Sequence, residues 1–103
     1  MKNFITYQLA VRFYRLRTSL KLPLHLSDQL ARAASSIVLN LAEGRGKPTV
    51  KDQLKFFHIA FGSLRECQAV LTLAELESTQ AWSVLDTLAA HLYRLIKNAR
   101  PRE

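Results

Sequence analysis

The stretch LSDQLARAASSIVLNLAEG, residues 26–44, decides the fold. Leu26, Leu30, Ala33, Ala34, Ile37, Val38 and Leu41 recur there at helical spacing, which gives one apolar face. Ser27 offers an N-cap, and Asp28 is well placed for the positive end of the helix dipole. Ala31, Ala33, Ala34, Ser35 and Ser36 are small, so a neighbouring helix can come close. Gly44 and Gly46 are expected to stop the helix, glycine suiting the left-handed position past a helix end.

Similar segments lie on either side. Ahead of it, residues 3–20 carry Ile5, Leu9, Phe13, Leu16 and Leu20 at helical spacing. Ile5, Tyr7, Leu9, Val11 and Phe13 also alternate as a strand would. Length arbitrates for a helix, because no turn signal interrupts the run. Pro23 breaks the chain next and pushes Leu22 toward extended geometry. Beyond Pro48, Thr49-Val50-Lys51-Asp52 is a near capping box opening a long helix over residues 50–76. Its stripe is Phe57, Phe61, Leu64, Cys67/Gln68 and Leu71, with Phe56, Ile59 and Val70 beside it. Ser78 or Thr79 caps a last helix with Trp82, Leu85, Ala89, Leu92 and Ile96 inward, ended by Asn98 and Pro101.

These segments and short connections predict one domain over residues 1–103: an all-α, antiparallel up-down-up-down four-helix bundle. The 103 residues are 49% hydrophobic, enough for a core, and three Gly with three Pro are too few for an all-β domain. Phe13 and Tyr14 are adjacent, as are Phe56 and Phe57. Neighbours on a helix point in different directions, so these pairs either flank the core edge or meet another subunit. The lone Cys67 can form no internal disulfide. No apolar run is long enough to span a bilayer, and Thr6, Gln8 and Arg12 interrupt the opening residues as no signal peptide would allow. The expected compartment is the cytoplasm.

Enzyme chemistry finds little support. In Gly44-Arg45-Gly46-Lys47-Pro48-Thr49 a phosphate-binding loop would need its first glycine where Leu41 stands and a Ser or Thr where Pro48 stands. No Glu is followed by a His at the spacing of a di-iron bundle. His58 and His91 should sit at similar heights on antiparallel helices, but no further ligands complete a zinc site. His25, His58 and His91 all lack the preceding Arg that helical nucleases set before their His. Cys67 falls mid-stripe, as a core residue does, and lacks a base in view. The expectation is a non-enzyme with no cofactor and no metal.

The charge is informative. Fifteen Lys and Arg against eight Asp and Glu give +7. The bundle topology gathers nine of the cations at one end: Lys2, Arg45, Lys47, Lys51, Lys55, Arg94, Lys97, Arg100 and Arg102. Only Glu43, Asp52 and Glu103 oppose them. Such a pole neutralises phosphates and releases counterions without reading sequence. Arg45, Lys47, Lys51, Lys55, Arg94, Lys97, Arg100 and Arg102 are therefore the candidate nucleic-acid-binding residues. The bland alternative is a solvated basic surface.

Two motifs carry a resemblance. Gln29-Leu30-x-Arg32-Ala33-Ala34-x-Ser36-Ile37-x-x-Asn40-x-Ala42-Glu43-Gly44 and Phe57-x-Ile59-Ala60-x-Gly62-Ser63-Leu64-x-Glu66 resemble those of the bacterial four-helix-bundle family first noted in intervening sequences of 23S rRNA genes. The likeness covers residues 5–97, departing at Val38-Leu39, where relatives often carry Pro and a small residue. The family includes the accessory variability protein of diversity-generating retroelements. The resemblance thus implies a homopentameric ring with a basic surface that binds RNA or DNA and assists a reverse transcriptase. The alternative is a protein–protein scaffold with no nucleic-acid role. The motif residues Asn40, Glu43, Gly44, Gly62, Ser63 and Glu66 read as structural. Asn40 and Glu43 would satisfy backbone groups around Gly44, Gly62 and Ser63 would admit a close partner, and Glu66 would pair with Arg32.

Overall fold

A computed structural model describes residues 4–99. Its elements are α1 (Ile5–Leu16), a 3-10 turn (Arg17–Ser19), α2 (Leu24–Arg45), α3 (Val50–Leu73) and α4 (Gln80–Asn98). α1 packs on α2 and α4, and α3 packs on the same two helices, so the four close an up-down bundle of 46 × 24 × 21 Å. Phe13, Leu30, Ile37, Leu41, Leu64, Leu71, Leu85, Leu88 and Leu92 are fully buried along its axis.

Two of the expected caps are in place. The Thr49 hydroxyl accepts the Asp52 N–H at 3.2 Å, and Thr79, not Ser78, accepts the Trp82 N–H at the same distance. Each satisfies a donor that a helix start leaves orphaned.

Other boundaries move. α2 begins at Leu24, ahead of Ser27, because the Pro23 carbonyl already accepts the N–H groups of Leu26 and Ser27 at 3.0 and 2.9 Å. At its far end Gly44 is still helical, and Gly46 has φ −82°, so neither takes the left-handed position. α1 ends at Leu16, and Arg17–Ser19 tightens into the 3-10 turn instead of extending the helix to residue 20. α3 stops at Leu73, short of residue 76, in a turn whose left-handed residue is Glu75, φ 57°. The Leu76 N–H reaches the Leu71 carbonyl at 2.9 Å and the Glu75 N–H the Thr72 carbonyl at 3.1 Å, the paired bonds of a Schellman motif.

The core-facing residues shift correspondingly. On α1 the buried set is Thr6, Ala10 and Phe13, while Ile5 is 57% exposed. On α4 it is Ala81, Val84, Leu85, Leu88 and Leu92, which leaves Trp82, Ala89 and Ile96 at the core edge. On α3, Phe61 lies at that edge and Ile59 is exposed, whereas Ala60 and Val70 are inside. Three contacts fix the antiparallel register of α2 and α3. Gln29 Nε2 donates to Glu66 Oε2 at 3.5 Å, the hydroxyls of Ser36 and Ser63 lie 2.8 Å apart, and Phe57 packs over Gly44. Among the described residues no helix is long and apolar enough to cross a membrane.

Candidate nucleic-acid interface

One pole of the bundle is built around three aromatic rings. Phe4, just ahead of α1, is buried and tilts against Phe57 of α3, centroids 6.4 Å apart. The Arg45 guanidinium lies 4.7 Å from the Phe4 ring centroid. Lys47 and Lys55 bring their ammonium groups to 5.2 and 5.7 Å from the centroid of Phe56. Cations over ring faces are attracted by the quadrupole while their heads remain wet. The corner between α2 and α3 is therefore held in shape: Gln53 Nε2 donates to the Lys47 carbonyl at 2.9 Å, and Glu43 approaches Lys47 at 4.0 Å.

The other described candidate cations lie on helices that start or end at this pole. Lys51 and Lys55 are exposed on the first turns of α3, and Arg94 and Lys97 are exposed near the end of α4. Arg45 is the last residue of α2, Lys47 follows that helix end, and Lys97 stands in the last turn of α4, where helix dipoles also favour positive charge. Arg100 and Arg102, with Lys2, lie outside the described residues. Of the eight candidates, then, six are described, all toward this pole.

The motif residues do different work from that expected. Asn40 turns back along its own helix, donating to the Ser36 carbonyl at 2.9 Å and to its hydroxyl at 3.1 Å, so it braces the Ser36–Ser63 contact rather than the loop. Glu43 faces Lys47 instead of backbone groups. Glu66 meets Gln29, and among the described residues no ion pair joins it to Arg32. Gly44 is the close-approach glycine: a Cβ there would stand 2.7 Å from Phe57 Cε1. Gly62 is exposed, and a Cβ there would meet nothing within 4 Å.

Sequence reasoning missed a groove between α3 and α4. His58, Phe61, Tyr93, Ile96 and Lys97 line a cavity of about 360 Å³. His91 is not among them. The signal was available in spacing: His58 precedes Phe61, and Tyr93 precedes Lys97, by one helical turn, which sets each pair side by side. A second groove of about 350 Å³ runs between α1 and α2, lined by Val11, Tyr14, Arg15, Ser35, Val38 and Leu39. Among the described residues no cluster of three metal-ligating side chains occurs. Burial, and then the Glu66 charge, push the Cys67 thiol up to about 12, the opposite of what a nucleophile needs.

This molecule, with its small-residue α2–α3 contact and its basic corner, is a compact all-helical up-down bundle. The model of the 23S rRNA-intervening sequence protein family matches residues 5–99, and the chain belongs to that family. No curated protein and no solved structure matches it.

Proposed function

We propose that this chain is a non-enzymatic nucleic-acid-binding accessory protein that acts as a homo-oligomer. The supporting observation is the corner at which Arg45, Lys47 and Lys55 rest on Phe4 and Phe56, with Lys51 beside them. Cations preorganised on rings lose little freedom on meeting a phosphate, and the contact is independent of base sequence. RNA and DNA are both suitable partners. A ring of such bundles, a pentamer by family resemblance, would repeat the corner around its axis. A reverse transcriptase of a diversity-generating retroelement is the enzyme such a ring would assist, again by resemblance.

A test is binding of labelled RNA and DNA against rising salt. Affinity should fall steeply from low to physiological salt. Replacing Arg45, Lys47, Lys51 and Lys55 by Gln should abolish it while helical circular dichroism is retained. Unchanged affinity in that variant overturns the reading.

The scaffold reading has its own observation. The groove between α1 and α2 carries Leu39, 66% exposed, beside Val38, Val11 and Tyr14. An apolar face of this kind suits self-association. It supports the oligomer in either reading, and a protein that binds no nucleic acid at any salt would leave the scaffold alone standing.

A further inference from the structure

We propose that the groove between α3 and α4 is a stacking site for an unpaired base, so that this protein binds single strands in preference to duplexes. The inference rests on the nucleic-acid reading above and adds which form of nucleic acid is taken and where its bases go.

Tyr93 is the starting point. The residue is 59% exposed in the lining of the groove, and among the described residues no hydrogen bond or ring contact holds its ring. Lys97 stands one turn further along α4 and His58 across the groove on α3, with Phe61 and Ile96 completing the lining. The Arg65 guanidinium lies 5.4 Å from the Phe61 ring centroid. An exposed aromatic flanked by a cation and an imidazole matches what an unpaired nucleotide requires. The π-face takes the base and the ammonium takes its phosphate.

The outer face of α3 leads to this groove. Lys51, Lys55, His58, Gly62 and Arg65 follow one another at alternating four- and three-residue steps, so they form one straight ridge on the helix. All five are exposed, and no carboxylate stands in the row. The ridge spans about 21 Å at 1.5 Å per residue. Gly62 interrupts it with open space, since a Cβ there would meet nothing within 4 Å. A sugar–phosphate chain can therefore lie against the helix between His58 and Arg65. The ridge starts at the basic corner, so a strand held there by Lys51 and Lys55 runs past the groove.

A duplex keeps its bases stacked on each other and offers Tyr93 no free face. A second copy of the chain is a poorer occupant. It also carries +7, and a ridge of Lys and Arg attracts a polyanion more than a like-charged surface.

The test compares wild type, Tyr93→Ala and Tyr93→Phe by fluorescence anisotropy on labelled oligouridylate and on a fully paired RNA duplex. Wild type should prefer the single strand. Tyr93→Ala should weaken single-strand binding about tenfold, since each stacked base contributes substantially. Duplex affinity and the salt slope should stay unchanged, because no phosphate contact is lost, and Tyr93→Phe should bind as wild type does. If Tyr93→Ala binds oligouridylate normally while the Gln variant of the basic corner does not, the stacking site is wrong and the phosphate reading stands. If wild type binds neither strand at any salt, the nucleic-acid reading fails and this one with it. If Tyr93→Ala changes the mass seen by light scattering and weakens both strands alike, the groove is a protein contact and the proposal is overturned.

Discussion

The ring of Phe57 occupies the space that a side chain at position 44 would need: a Cβ on Gly44 would stand 2.7 Å from its Cε1 and 2.9 Å from its Cδ1. The Gln53 carbonyl closes the same space at 3.1 Å. α2 and α3 therefore meet at this end through a missing side chain. Phe57, only 2% exposed and packed against Phe4, has little room to yield. Gly44→Ala should destabilise the fold by about 1–3 kcal/mol, as overpacked sites do, despite the better helix propensity of Ala. Gly62→Ala, with open space around it, should stabilise the isolated bundle by roughly 0.5–1 kcal/mol. Chemical denaturation of the two variants checks both signs, and a Gly44→Ala protein as stable as wild type would contradict the packing.

Glu75 holds a conformation that costs a residue with a side chain more than it costs glycine. Glu75→Gly keeps both backbone bonds of the turn and removes the Cβ strain. The expected gain is about 0.5–1 kcal/mol, offset in part by the freer unfolded chain. Thermal melting gives the answer, and a lower midpoint would count against this account of the α3 end.

Ser36 and Ser63 bond to each other across the α2–α3 interface, and Asn40 supports the pair. Removing one hydroxyl leaves the other short of a partner in a half-buried place. Ser36→Ala and Ser63→Ala should each cost about 1 kcal/mol, and the double variant less than their sum. A double-mutant cycle in urea measures the difference. Strict additivity would mean the two hydroxyls do not interact.

The Cys67 thiol is pushed up to about 12 because ionising it would bury a charge. The folded state thus holds its proton more tightly than the unfolded state does. Its contribution is complete below the unfolded thiol's ordinary range, near 8.5, and is lost as pH rises from there through the folded value. Stability should decline over that alkaline window, and Cys67→Ala should flatten the decline while lowering stability at neutral pH. Alkylation by iodoacetamide at neutral pH should track global unfolding. Rapid labelling of the native protein would contradict the burial.

Much of the architecture was legible in residues 26–44 and in the hydroxyl caps at Thr49 and Thr79, because helical periodicity and capping are local rules. The end of α3 was not, since the left-handed residue there is a glutamate and no glycine marks it. On α1 the strongly apolar Ile5 points outward while Thr6 goes inside. Periodicity gives a stripe, but the rotation of that stripe is set by whichever neighbours it meets. The same limit misled the pairing of Glu66, whose partner depends on how α3 turns toward Gln29. The cationic corner followed from topology alone, whereas the groove at Tyr93 needed the relative rotation of two helices.

Phe4 and Arg45 meet where α1 begins and α4 ends. A purification tag or fluorophore fused ahead of α1 or after α4 would thus hang in front of the cationic corner and compete for it. The turn between α3 and α4 lies at the opposite end of a 46 Å body. An immobilisation point or dye engineered at Ser78 leaves the corner unobstructed, whereas one placed at the start of α1 or the end of α4 reports partly on the attachment itself.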